Sequence, residues 1–61
     1  MTRQEANREI INYILLYIKI YPEWRFEQIL SNLGITEVDF YKESSKTLEI
    51  VKYGDSLIKY E

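Results

Sequence analysis

Tyr21-Pro22-Glu23-Trp24-Arg25-Phe26-Glu27-Gln28-Ile29-Leu30-Ser31-Asn32-Leu33-Gly34 is the stretch that decides how this chain folds. Pro22 stops the segment before it and suits the first position of a new helix, where its missing N–H costs nothing. Phe26, Ile29, Leu30 and Leu33 then recur at helical spacing. Gly34 offers the left-handed residue that commonly ends a helix. Arg25, Gln28, Ser31 and Asn32 fall on the opposite side. The stretch reads as a short amphipathic helix over 23–33, and the flanking segments must pack onto its apolar face.

Upstream, the pattern predicts a helix over 3–21. Thr2 is its N-cap, and Glu5 three positions later completes a capping-box pattern. Ala6, Ile10, Tyr13, Ile14, Tyr17 and Tyr21 form one stripe, with Ile11, Leu15 and Ile18 beside it. From Ile10 to Tyr21, ten of twelve residues are apolar or aromatic, so this half is apolar almost all round. A helix of that kind is either central in a large core or shared between subunits. The chain is too short to surround it, so a homodimer is expected, with Ile14, Tyr17 and Ile18 at the contact. Lys19 snorkels from the apolar face, and Asn12 is read as facing solvent.

Downstream, Thr36 with Asp39 resembles a capping signal, followed by one helical turn at most. Val38, Phe40 and Tyr41 are expected to turn inward as plugs. The last segment reads as a helix over 45–60, capped by Ser44 or Ser45, with Leu48, Ile50, Val51, Gly54, Leu57 and Ile58 on one broad face. Gly54 at mid-helix costs ~1 kcal/mol, which close approach of a neighbouring helix offsets. A hairpin over 47–60, turning at Gly54-Asp55, is the alternative. It would set Lys52 against Leu57 and Ile50 against Lys59, mixing charged and apolar residues on one face. The expectation is therefore a single all-α, three-helix domain over residues 1–61.

Composition narrows the function classes. Sixty-one residues with no Cys and no His leave neither a disulfide framework nor the usual zinc spacings. A core of this size seldom contributes more than ~3–5 kcal/mol, so oligomerisation is the remaining staple. The serines have no His to activate them, both glycines are isolated, and no catalytic, cofactor or metal site is expected. Asp39 and Glu43, one helical turn apart, read as surface charge. The apolar run Ile10–Tyr21 is shorter than the ~20 residues of a membrane span. No signal peptide is visible, and the chain reads as soluble and cytoplasmic.

Two binding readings remain. Trp24, Arg25 and Tyr41 are residue types that dominate interface hot spots, and with Gln28 and Asn32 they make the expected partner-binding set. Alternatively, Phe26 to Ser45 can be laid over a helix-turn-helix, with Leu30 at the close-packing position, Gly34 in the turn, and Ile35 and Phe40 in the core. With the hairpin it would become a winged helix. A net charge of −2 and the carboxylates Glu37, Asp39 and Glu43 in the would-be recognition helix oppose contact with phosphates.

Pro22-Glu-Trp-Arg-Phe-Glu-Gln28, followed by Phe40-Tyr-Lys-Glu-Ser44 and Thr47-Leu48, resembles short uncharacterised proteins encoded by bacteriophages and prophages of Gram-positive bacteria. In those proteins a Pro-x-x-Arg-Phe-x-Gln core precedes Phe-Tyr-x-Glu-Ser. The likeness runs from Tyr21 to Val51, and Glu27 stands where they commonly carry Gly. The resemblance implies a phage-encoded protein that binds a bacterial host protein, with components of antiviral defence among the targets.

Overall fold

A computed structural model describes residues 1–59, with the side chain of Lys59 left undescribed. Its elements are α1 (Arg3–Ile20), α2 (Phe26–Asn32), a 3-10 helix η1 (Glu37–Tyr41) and α3 (Ser44–Lys59). There is no strand among the described residues. The all-α, three-helix fold is thus as the patterning predicts, and the hairpin is excluded over the described residues. The expected extension of the last helix to residue 60 lies outside them.

α1 starts as its sequence dictates. Thr2 Oγ1 accepts from the Glu5 N–H at 3.1 Å, and Glu5 Oε1 accepts from the Thr2 N–H at 3.0 Å. Two donors that a helix start leaves without partners are thereby satisfied. The first stripe of α1 is the buried one. Ala6 and Tyr17 are buried, and Ile10, Tyr13, Ile14 and Tyr21 pack partly buried against the core.

α1 and α3 run parallel. Arg3 meets Glu43 through Nη2 at 2.7 and 3.1 Å from the two carboxylate oxygens. Ser44 donates to Asn7 Oδ1, and Tyr17 donates to Asp55 Oδ1. Parallel helices need a crossover, and α2 with η1 supplies it.

α2 is shorter than the 23–33 expected. The Trp24 N–H donates to the Tyr21 carbonyl at 3.0 Å, closing a turn with Pro22 at its second position. The fixed φ of proline serves such a turn as well as it serves a helix start, so Pro22 is not in the helix and Arg25 holds the N-cap position. Phe26, expected on the core stripe, is exposed. At this end the core is closed by Tyr21 and Trp24 instead, whose rings stack at 4.1 Å. The far end of α2 follows expectation. Gly34 has φ +87°, its N–H donates to Ser31 O, and the Ile35 N–H donates to Leu30 O at 2.9 Å. That pair of bonds is the Schellman closure, which only a left-handed residue permits cheaply.

α3 begins at Ser44, so neither Ser44 nor Ser45 is its cap. The Glu43 carbonyl takes the first helical bonds, from the Lys46 and Thr47 N–H groups. Leu48, Val51 and Gly54 are buried and Ile50 and Ile58 half-buried, as the broad face predicts, but Leu57 is exposed. Gly54 is where α2 ends against α3. A Cβ there would lie 2.3 Å from the Leu33 carbonyl oxygen and 2.6 Å from its carbon.

Gly54→Ala should therefore force α2 off α3. With a core worth only ~3–5 kcal/mol, the variant should lose most of its cooperative thermal transition. Gly34→Ala should cost less, ~1–2 kcal/mol for a strained left-handed alanine plus a 3.2 Å contact with Ile50 Cγ2. A Gly54→Ala melting temperature equal to that of the unaltered chain would show that the close approach is not held in solution.

Candidate functional site

The residues expected at a partner site divide between the α2 region and η1. Arg25, Gln28 and Asn32 are exposed on or just before α2. Trp24 is half-buried, its ring near-parallel to Tyr21 at 4.1 Å and to Tyr17 at 6.2 Å. Trp24 and Asn32 line one hollow of about 340 Å³ together with Tyr21, Leu57 and Ile58. A second hollow of about 420 Å³ lies between the end of α2 and α3, walled by Ile50, Tyr53 and Leu57 and floored by Gly34 and Gly54. Asn32 and Leu57 line both, so the two hollows are neighbours. Neither Tyr53 nor Leu57 is among the expected partner-site residues. Their i,i+4 spacing carried a signal, but Leu57 also fitted the core face.

Tyr41 lines neither hollow and stands apart on η1. That element departs most from expectation. Val38, Phe40 and Tyr41 are not inward plugs; they are exposed, Tyr41 by 91%. The residue turned inward is Asp39, at 5%. Its Oδ2 accepts from the Thr36 N–H at 2.6 Å and from Thr36 Oγ1 at 3.1 Å, while Oδ1 meets Lys42 Nζ at 2.9 Å. With three residues per turn, drawing position 39 in swings 38, 40 and 41 out. The Thr36–Asp39 capping signal was legible, but its consequence for the neighbours was not.

These contacts set the electrostatics of η1. Lys42 first, and then the Thr36 N–H, hold the Asp39 carboxyl below the usual carboxylate range. A depressed carboxylate stabilises the fold above its ordinary pKa, and that contribution disappears as pH falls through the lower folded value. Asp39 and Glu43 do not share a cation, because each has its own partner, Lys42 and Arg3. Among the described residues no group of three or more carboxylates is placed to hold a metal ion, and no helix is long and apolar enough to cross a membrane.

The expected dimer residues divide. Tyr17 is buried at 3% in the chain's own core, so its side chain does not reach a neighbour. Ile14 is half-buried against that core, and Ile18 is exposed. Ile11 and Leu15, on the same stripe as Ile18, are exposed by 54% and 56%. Asn12 and Lys19 face solvent as read.

The contact that sequence reasoning did not foresee is Tyr17 with Asp55. Both are buried, and the phenol donates to the carboxylate across α1 and α3. Nothing in one-dimensional spacing pairs residues 38 apart, and the sequence gives Asp55 a role only as the turn residue of the alternative hairpin.

No protein-family model matches this chain, and neither a curated protein nor a solved structure matches it.

The buried pair gives a pH test. Burial first, and then the hydrogen bond to Asp55, push the Tyr17 phenol above its ordinary value. The folded state therefore keeps a proton that the unfolded chain releases near pH 10. Stability should be fully present below that pH and fall above it, by up to ~1.4 kcal/mol per pH unit from this group. Tyr17→Phe should be less stable at pH 7 and should lose that part of the alkaline slope. Urea titrations at pH 7, 10 and 11 read both, and identical slopes in the two proteins would remove the pair from the account.

Proposed function

We propose that this chain is a small protein-interaction module, phage-encoded, that binds and modulates a bacterial host protein and acts as a homodimer in the host cytoplasm. Inhibition of an antiviral-defence component is the activity this reading favours. The observation that carries it is η1, a short element braced from inside by Asp39 that holds Val38, Phe40 and Tyr41 in solvent. A braced backbone loses little conformational freedom on binding, and exposed aromatics are disproportionately interface anchors. Arg25, Gln28 and Asn32 add polar groups on and just before α2, and the hollow beside Trp24 adds a recess for an apolar side chain of the partner. The phage origin rests on the resemblance of residues 21–51 to short phage proteins.

The nucleic-acid reading has less to stand on. The segment that would be its recognition helix is a five-residue 3-10 helix carrying Glu37 and Asp39. It offers a major groove neither length nor positive charge.

The test is capture from a Gram-positive host expressing the tagged chain. Tyr41→Ala and Arg25→Ala should each reduce recovery of the captured protein about tenfold or more, as hot-spot losses of ~2 kcal/mol do. Circular dichroism and melting temperature should not change, because both side chains are exposed. Asp39→Ala should also lower recovery, through loss of the brace. Trp24→Ala is a poor probe, since its ring is part of the packed aromatic group. Undiminished recovery with Tyr41→Ala and Arg25→Ala would overturn the assignment. Nanomolar, sequence-dependent DNA binding at ~0.15 M salt, well beyond the usual non-specific range, would replace it.

A further inference from the structure

Resting on the homodimer reading above, we infer that a second copy of this chain packs antiparallel along the exposed stripe of α1, about a two-fold axis passing close to Leu15. Ile11, Leu15 and Ile18 are spaced four and three residues apart and are exposed by 54, 56 and 45%. Under a two-fold axis at Leu15, Ile11 of each copy meets Ile18 of the other, and Leu15 meets Leu15. The stripe is thus complementary to itself, as an isologous contact requires. At its N-terminal end is a hollow of about 440 Å³ lined by Gln4, Asn7, Arg8 and Ile11. In this register only the Ile11 edge of that hollow meets Ile18 of the second copy, and its Gln4, Asn7 and Arg8 side faces residues beyond the end of the other α1.

Charge selects the antiparallel direction. Parallel pairing would set Arg8 against Arg8 beside the seam, with both helix dipoles aligned. Antiparallel pairing opposes the dipoles and brings Arg8, seven residues before Leu15, towards the carboxyl end of the other α1. The partial negative charge of the helix lies there, and Glu23, eight residues after Leu15, is exposed there. Lys19 falls beside Asn12 of the second copy, a neutral neighbour that can hydrogen-bond it.

Size sets the strength. α1 has 18 residues and is about 27 Å long, so one helix seam belongs with interfaces below ~1,200 Å², which are weak. The pairing should be reversible, with a dissociation constant in roughly the micromolar range.

The chain has no Cys, so single cysteines report the register cleanly. Under mild oxidation, exposed Leu15→Cys should convert mostly to a covalent dimer. Ile11→Cys alone and Ile18→Cys alone should remain mostly uncrosslinked, while an equimolar mixture of those two should crosslink to each other. Tyr53→Cys, exposed on α3, is the collision control. Light scattering on the unaltered chain should show the mass rising towards two chains with concentration. A single-chain mass at about 0.5 mM, far above a micromolar constant, would sink both the dimer and its register. A dimeric mass with strong self-crosslinking of Ile11→Cys, or of Tyr53→Cys as efficiently as Leu15→Cys, would overturn the register alone.

Discussion

The backbone contact between Leu33 and Gly54 is the constraint on which the other contacts depend. With seven residues, α2 is too short to hold its place by a long apolar seam. Its last turn instead lies with a main-chain carbonyl where any side chain at position 54 would be. That approach puts Ile29 and Leu33 against Tyr17 and Val51, the four residues at the centre of the core. It also brings Gly34 beside Ile50, so the chain can leave α2 close to α3 and run back towards the start of α1. A glycine inside α3 weakens that helix slightly, by ~1 kcal/mol. Without it the crossover could not lie flat, and both parallel helices would lose the side that α2 covers.

Within this frame the Tyr17–Asp55 bond fixes how far α3 slides along α1. Apolar contacts between two helices tolerate a slip of one turn better than a buried hydrogen bond does, because a carboxylate stripped of water must find its donors. The contacts near residues 3, 7, 43 and 44 pin the other end, but they are exposed, and exposed ion pairs contribute little. The buried pair therefore carries most of the register specificity, whatever its net contribution to stability. Its place beside the Tyr21–Trp24 stack also keeps the turn at Pro22 closed, and with it the start of α2.

The legible features were local and periodic: the Thr2–Glu5 box, the Ala6-to-Tyr21 stripe, Gly34 at the helix end, and close packing at Gly54. Each is set by residues within one or two turns, where backbone hydrogen bonding leaves few options. The errors arose where several apolar residues competed for a core too small to hold them. Phe26 lost its place to Trp24, because the Tyr21–Trp24 turn delivers the indole to the same end of the core. Val38, Phe40 and Tyr41 lost theirs to Asp39, because a carboxylate with donors at Thr36 and Lys42 satisfies more groups by turning in than a phenyl ring does. The all-round apolar pattern of α1 suggests a subunit contact for Tyr17, and the buried polar partner that draws it into the core lies 38 residues away. Of the partner set, Arg25, Gln28, Asn32 and Tyr41 are exposed, Tyr41 against the inward turn expected of it. Which of them share a surface could not be read, since that depends on the path of the chain between α2 and α3.

The exposed apolar surface follows from the same shortage of length. α1 is about 27 Å long and α2 about 10 Å at 1.5 Å per residue, so the crossover covers at most part of one side of α1, and α3 covers another. Ile11, Leu15 and Ile18 are left over because none of the described elements covers them. The exposure of η1 has a different origin, since there an inward-turned Asp39 holds its neighbours out. A stripe left bare by geometry is long, regular and aliphatic, which suits a second helix. A braced turn is short, irregular and aromatic, which suits a pocket on another protein. The two surfaces sit on different elements, and occupation of one need not block the other. A dimer formed through α1 would then present η1 twice, and a host target with two sites within reach would be held more tightly by the pair than by one copy.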